Sequence, residues 1–278
     1  MAKVRVSFLK SKEFWVRVAS GIVMSLILIA VFVLGSYVLW AFLMLLSLVG
    51  LWELYRALGM KFNFLTIIGY LTVIAHYLFI LFGLYDKLFL VYAASMVLIL
   101  AGFVFTYPKY SLAQMFVSFF GVVYVGVCLS FIYLLRMEES GDFLVWLIVF
   151  SSWGCDIFAY LFGNLFGKHQ LVPKLSPHKS VEGAIGGVVG AMGLSAIYGA
   201  IIRSYLSINL APLKFALIAL FGSIASQIGD LAASAIKRKV NIKDYSHIIP
   251  GHGGILDRFD SMIIVSPIIY IVVTFLFV

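Results

Sequence analysis

Charge is what this sequence has least of. Only 12% of its 278 residues are Asp, Glu, Lys or Arg, while 63% are hydrophobic and the mean hydropathy is +1.10. Soluble domains carry roughly 25% charged residues, so a water-bathed globular fold is excluded. Cysteine is nearly absent. Cys128 and Cys155 both fall in apolar runs, which gives neither a disulfide framework nor metal-ligand spacing and leaves packing thiols. Proline is scarce, and of six only Pro267 lies within an apolar run. No stretch has the composition of a separate soluble domain, and no long internal repeat is present.

What is present is a series of apolar runs of about 20 residues, the length needed to cross a bilayer core. Nine candidate spans fall at about 19–35, 37–55, 63–84, 88–106, 112–135, 143–166, 184–202, 212–236 and 261–278. All nine read as helices, because an open sheet edge cannot be satisfied in hydrocarbon. The expected fold is an all-α polytopic membrane protein. The first run follows the basic segment MAKVRVSFLKSKEFWVRV but continues into the second without a small-residue cleavage site, so it reads as a retained helix. Residues 1–18 mix Phe8, Phe14 and Trp15 with Lys10, Lys12 and Arg17, which suits a basic interfacial segment, an unstructured tail being the alternative. Residues 19–135 then form an N-terminal group of about five spans, and 136–278 a C-terminal region expected to carry the chemistry.

Lysine and arginine set the expected orientation. With the N-terminus in the cytoplasm, sixteen of these residues lie inside and only Lys87, Arg136, Arg203 and Lys214 lie outside. The C-terminus is then external. The seventh span, GAIGGVVGAMGLSAIYGA, spaces Gly183/Gly187 and Gly186/Gly190 four apart, as close helix packing requires.

Two acidic residues are expected inside spans, Asp156 and Asp230. A charge at mid-bilayer costs at least roughly 2.5–3.5 kcal/mol, so such a residue is paired or functional. Rising 1.5 Å per residue, Asp156 lies about 20 Å and Asp230 about 26 Å from the outer end of its span, toward the cytoplasm. Ser223, Gln227, Asp230, Ser234 and Lys237 share one face of the eighth span. Ser152, Asp156 and Tyr160 make a shorter stripe in the sixth. An interhelical hydrogen-bonded seam would explain serine and glutamine, but an aspartate running into Lys237 and Arg238 favours a water-accessible site.

Two loops collect the remaining charge. KRKVNIKDYSHIIPGHGGILDRFD, Lys237 to Asp260, holds eight charged residues and two histidines. Lys237, Arg238, Lys239 and Lys243 supply positive charge for phosphates. The PGHGG turn can aim backbone N–H groups at an anion. Asp257 and Asp260 stand three apart, on one face if helix begins there. Hard carboxylates beside a phosphate surface are what Mg²⁺ needs, whereas anchoring and helix capping would explain the charges but not His-Gly-Gly. The other loop, GKHQLVPKLSPHKSVEG within 167–183, offers Lys168, Lys174 and Lys179, with Ser176 and Ser180 for phosphate oxygens and Glu182 as a ligand or lysine partner. It reads equally well as a plain amphiphilic turn. His169 and His178 read as surface residues.

Taken together these residues resemble the phosphatidate cytidylyltransferase, or CDP-diacylglycerol synthase, family. The family signature has Ser, an aliphatic residue, Lys-Arg, Lys-Asp, Pro, His-Gly-Gly and Asp-Arg-x-Asp at fixed spacing. Here it reads SAIKRKVNIKDYSHIIPGHGGILDRFD, Ser234 to Asp260, without mismatch. CDIFAYLFGNLFGKHQLVPKLSPHKSVEG is similar to the family's second block, with Ser180 for the usual Thr, His178 for a common Lys and Val181 for a common Trp. The resemblance covers about the last 130 residues.

It implies the reaction of CTP with phosphatidate to give CDP-diacylglycerol and pyrophosphate, dependent on Mg²⁺ with room for a second cation. Asp257 and Asp230 would be metal ligands, with Asp260 and Asp156 behind them. Lys237, Arg238, Lys243 and Arg258 would neutralise phosphates, His252 would hydrogen-bond the α-phosphate or pyrophosphate, and Asp244 belongs to the same signature. Lys168, Ser176, Lys179, Ser180, Glu182, Ser234, Gly253 and Gly254 would bind substrate. The expected setting is a bacterial inner membrane with the site facing the cytoplasm, membrane lipids as neighbours, a homodimer left open and no nucleic-acid partner.

Two rivals are weighed. An ion-coupled transporter would show broken helices in repeated halves, and the sequence has no sign of either. A CTP-using polyprenol or phytol kinase would release CDP instead of pyrophosphate. The Asp-Gly-x-x-Ala-Arg motif of CDP-alcohol phosphotransferases is absent.

Overall fold

The computed structural model describes residues 12–206 and 211–277. Among them, nine helices are long and apolar enough to cross a membrane, matching the nine expected spans. The helices are α1 (Lys12–Leu34), α2 (Ser36–Ala57), α3 (Phe64–Leu81), α4 (Leu88–Phe105), α5 (Leu112–Gly121) and α6 (Cys128–Met137). They continue with α7 (Gly141–Leu144), α8 (Trp146–Val149), α9 (Cys155–Phe166), α10 (Val181–Leu206), α11 (Pro212–Lys239) and α12 (Leu256–Phe277). The chain is thus an all-helical, multi-pass membrane protein.

Four local features depart from the sequence reading. α1 already includes Lys12, so residues 12–18 continue the first span instead of forming a separate interfacial element; residues 1–11 lie outside the described residues. The fifth and sixth spans are each interrupted by a π-helical segment, Val122–Val127 and Phe150–Gly154. These widen the turn without unwinding it, so the intact-helix expectation is corrected only locally. The loop after α9 folds into a hairpin, β1 (Gln170–Val172) paired with β2 (Ser176–Ser180), with Gln170 opposite Ser180 and Val172 opposite Ser176. Finally, the last span begins five residues early, at Leu256, which brings Asp257 into its first turn.

The chain divides into two compact units that do not follow chain order. The first comprises residues 1–122 and 241–259, the second 123–240 and 260–278.

In the first unit α2 and α3 form the packed centre, with Leu39, Leu43, Leu54, Leu65, Val73 and Tyr77 almost wholly buried. Helices in lipid gain little from apolar burial alone, so close packing and polar ties hold them. Tyr77 illustrates both. Its hydroxyl lies 2.9 Å from Ser47 Oγ, and its carbonyl accepts Trp40 Nε1–H at 2.7 Å. Tyr55 donates to the Ser118 carbonyl, with Gly69 and Gly121 leaving room for its ring. Asn63 with Thr66 and Ser111 with Gln114 form capping boxes that start α3 and α5.

The second unit is centred on α9, α10 and α11. The glycine spacing of the seventh span acts as expected: Gly186 faces Phe162, Gly190 faces Phe158, and Gly187 packs against the Cys155 carbonyl and Ala159. Cys128 and Cys155 are free thiols, Cys155 buried at this seam.

Candidate phosphate site

Among the described residues each unit carries a polar cavity, and most of the expected site residues can be placed with respect to these two.

In the first unit the signature loop is shaped by its glycines. Gly251 and Gly253 adopt φ of +75° and +86°, a region that side-chain-bearing residues rarely enter. A short bridge, Ile249 N–H to the Gly253 carbonyl at 2.8 Å, closes the turn, and His252 N–H returns to the Ile249 carbonyl at 2.9 Å. The turn packs on two carboxylates: a Cβ on Gly253 would stand 3.0 Å from Asp257 Oδ2 and 3.3 Å from Asp244 Oδ1. Asp257, buried at the start of α12, accepts the N–H groups of Tyr245 at 2.8 Å and Gly254 at 3.0 Å on that same Oδ2.

The loop is anchored from a residue that the sequence reading passed over. Glu53 of α2 is fully buried, an acidic residue inside a span beyond the expected Asp156 and Asp230. Its Oε1 accepts Ser246 Oγ–H and, at 2.9 Å, Ile255 N–H; its Oε2 accepts Leu256 N–H at 2.7 Å. A buried carboxylate is tolerable only when its oxygens are matched by donors, and the first turn of α12 has unpaired N–H groups to offer. Gly254 is needed beside it, since a Cβ there would come within 2.8 Å of the Glu53 carboxyl carbon.

α1 supports the turn from another side. Ser20 Oγ lies 2.8 Å from His252 Nδ1 and 2.9 Å from the Pro250 carbonyl, and Gly251 packs against the Arg17 side chain. The resulting cavity, about 590 Å³, is lined by Arg17, Lys243, Asp244, His247, His252 and Arg258, among others. Partial burial, then the positive charges of Arg258 and Arg17, lower the His252 pKa below the ordinary imidazole value, while its hydrogen bond to Pro250 opposes them. Three strong cations around a glycine turn make an anion site.

The second unit holds a cavity of about 390 Å³, whose lining includes Asp156, Tyr160, Ser176, Lys179, Gln227 and Asp230. Lys179 pairs directly with Asp230. Gln227 Nε2 donates to the Ala184 carbonyl at 2.9 Å, so the polar stripe of α11 is part seam and part cavity wall. Asp260 is nearly buried and lies within electrostatic range of Asp230, Lys237 and Asp156. A Cβ on Gly229 would stand 3.0 Å from its carbonyl, which is why a glycine precedes Asp230.

Other expected residues have structural partners. Ser180 Oγ accepts Gly183 N–H at 3.1 Å and caps α10. Glu182 binds His169 Nδ1 at 2.6 Å and accepts Lys168 N–H at 3.1 Å, so its partner is a histidine and loop backbone instead of a lysine ammonium. Lys168, Glu182 and Ser234 do not line the second cavity. Among the described residues no group of three or more His, Cys, Asp or Glu side chains is arranged to hold a metal by itself. The carboxylates of Asp156 and Asp230 line the second-unit cavity, and Mg²⁺ commonly takes only one or two protein carboxylates and completes its shell with substrate phosphates.

What these residues make is a polytopic membrane protein with a cationic pocket around a glycine turn. Residues 15–276 match the cytidylyltransferase family. Over 261 residues the chain is 32% identical to a phosphatidate cytidylyltransferase of Staphylococcus saprophyticus, covering 92% of this chain and 97% of that protein. It is 39% identical over 149 residues to the protein of that name from Bacillus subtilis, covering 53% of this chain and 54% of the relative. With the Thermotoga maritima protein of the same name it shares 36% over 168 residues, 60% of this chain and 59% of the relative. The chain therefore spans about half the length of the Bacillus relative and nearly all of the Staphylococcus one. It belongs to the cytidylyltransferase family and, with it, is a membrane nucleotidyltransferase.

Proposed function

We infer that this protein is a phosphatidate cytidylyltransferase. A phosphatidate oxygen attacks the α-phosphorus of CTP, the α–β phosphoanhydride bond breaks, and CDP-diacylglycerol and pyrophosphate result. The observation that carries this is the first-unit cavity, where Arg17, Lys243 and Arg258 surround the turn made by Gly251 to Gly253.

A phosphate monoester has its second pKa near 6, so phosphatidate is largely dianionic at pH 7 and needs no general base. The obstacle is electrostatic: two polyanions must meet while a third leaves. Positioning and fixed positive charge therefore carry the catalysis, as in phosphoryl transfer generally. Lys243 and Arg258 neutralise phosphate oxygens, and Lys237 and Arg238 at the end of α11 add charge. His252, held by Ser20, hydrogen-bonds the α-phosphate or the departing pyrophosphate.

Asp257 and Asp230 are the proposed ligands for Mg²⁺, with Asp260 and Asp156 supporting. When bound, the ion would neutralise developing charge on phosphate oxygens. Sixteen of twenty basic residues fall on one side of the expected topology, which favours a cytoplasmic site in a bacterial inner membrane.

The test is purified protein in mixed micelles with CTP, Mg²⁺ and phosphatidate, following pyrophosphate and lipid product. Mg²⁺-dependent pyrophosphate with cytidine incorporated into lipid is the expected result. CDP formed only with a prenyl alcohol would instead make it a kinase.

A further inference from the structure

The cationic cavity does not end in polar walls. An adjoining cavity of about 510 Å³ in the same unit shares Arg17 and His252 with it and is otherwise lined by Val18, Gly21, Ile22, Ser25 and Leu26 of α1. Positions 18, 21, 22, 25 and 26 recur at helical spacing, so this is one continuous face running away from Arg17. Ile22 and Leu26 are 54% and 60% exposed along it. Gly21 and Ser25 keep the face shallow, and the His252 ring stands 3.5 Å from where a Gly21 Cβ would be.

We propose that α1 forms the receptor for the lipid substrate: the phosphate monoester of phosphatidate is held by Arg17, beside the His252 that binds the α-phosphate it attacks, and one acyl chain lies along Val18, Ile22 and Leu26. This rests on the phosphatidate cytidylyltransferase reading for the identity of the lipid. The argument is complementarity. A nucleotide has no use for an apolar groove about two helical turns long, and a neutral lipid has no use for a guanidinium at its head. Only an anionic amphiphile matches both halves. The groove's polar end is also fixed in place, since Ser20 holds His252 at 2.8 Å and Gly251 packs on Arg17. Arg17 suits the headgroup, because a guanidinium can grip two phosphate oxygens at once.

The test uses the full chain in phosphatidylcholine nanodiscs with phosphatidate bearing a photoreactive acyl chain, and adducts are mapped by mass spectrometry. Adducts should concentrate between Val18 and Leu26, and be displaced by unlabelled phosphatidate but not by phosphatidylcholine or CTP. Arg17→Gln should weaken displaceable labelling about tenfold, the size of one lost charge-assisted hydrogen bond. It should raise the KM for phosphatidate comparably and leave the KM for CTP within about twofold. Ser25→Leu, which fills the apolar end of the groove one turn beyond Gly21, should do the same. Adducts spread over all lipid-exposed helices, or displaced by CTP, would overturn the proposal, the latter giving the pocket to the nucleotide. Labelling is read without turnover. Displaceable labelling on α1 in a protein that makes no CDP-lipid would therefore support the lipid site while sinking the cytidylyltransferase reading.

Discussion

Glu53 Oε2 accepts the backbone N–H of Leu256 at 2.7 Å across 203 positions of chain. With Ile255 N–H and the Ser246 hydroxyl on Oε1, one carboxylate caps the last helix from outside it and fixes the entry of the signature loop. Glu53→Ala would strand three buried donors at roughly 1–3 kcal/mol each. Activity and the melting temperature in detergent should both fall sharply. Glu53→Gln, which turns an NH₂ toward N–H donors, should recover little of either. An unaltered melting temperature in both variants would show that the contact carries no energy.

Asp257 does two jobs on the same page of the structure: it accepts two N–H groups through Oδ2 and is a proposed metal ligand. Asn at this position keeps one acceptor oxygen for Tyr245 and Gly254 but loses the charge. Asp257→Asn should insert and melt close to wild type, within about 1 kcal/mol, while turnover is abolished at any Mg²⁺ concentration. Near-normal activity would remove Asp257 from the metal set and leave the family assignment standing.

His252 provides the pH signature. Burial and the Arg258 and Arg17 charges put its folded pKa below the unfolded value of about 6.5. The unfolded chain then binds the proton more tightly. This contribution to stability is complete above about pH 6.5 and is lost as pH falls through the folded pKa. Melting temperature should therefore drop on acidification from about pH 7 to about pH 5, and His252→Gln should flatten part of that slope. Added pyrophosphate should raise the imidazole titration seen by NMR, since a nearby anion favours the protonated ring. A titration unmoved by pyrophosphate would place the phosphates elsewhere.

How much of this was legible beforehand depends on the range of the interaction. The nine spans were, because each apolar run is local and the bilayer fixes its length. So was the cationic loop, since charge is conspicuous in a chain with so little of it. Glu53 was not, because it lies near the end of an apolar run and its partners follow some 200 positions later. Arg17 passed for a membrane anchor, as its neighbour Gly251 is equally remote in sequence. The hairpin after α9 rests on strands of three and five residues, too short for alternation to register. The π-helical segments carry no compositional mark at all: Ser152, inside the second of them, reads as part of an ordinary helical stripe with Asp156 and Tyr160.

The pair Lys179 and Asp230 separates stability from chemistry. Each is about two-thirds or more buried, and they meet directly beside the second cavity. Removing one partner leaves the other's charge in a poorly hydrated place, so Lys179→Met and Asp230→Asn should each destabilise the protein measurably, by roughly 1–3 kcal/mol. Replacing both removes the stranded charge, so the double variant should melt higher than the sum of the single losses predicts, the signature of coupling in a double-mutant cycle. Activity should not follow. If Asp230 contributes a ligand to Mg²⁺, the stable double variant remains inactive, because Asn supplies no negative charge to the ion. A double variant that regained turnover together with stability would make the pair a packing device and move the metal to Asp257 and Asp260.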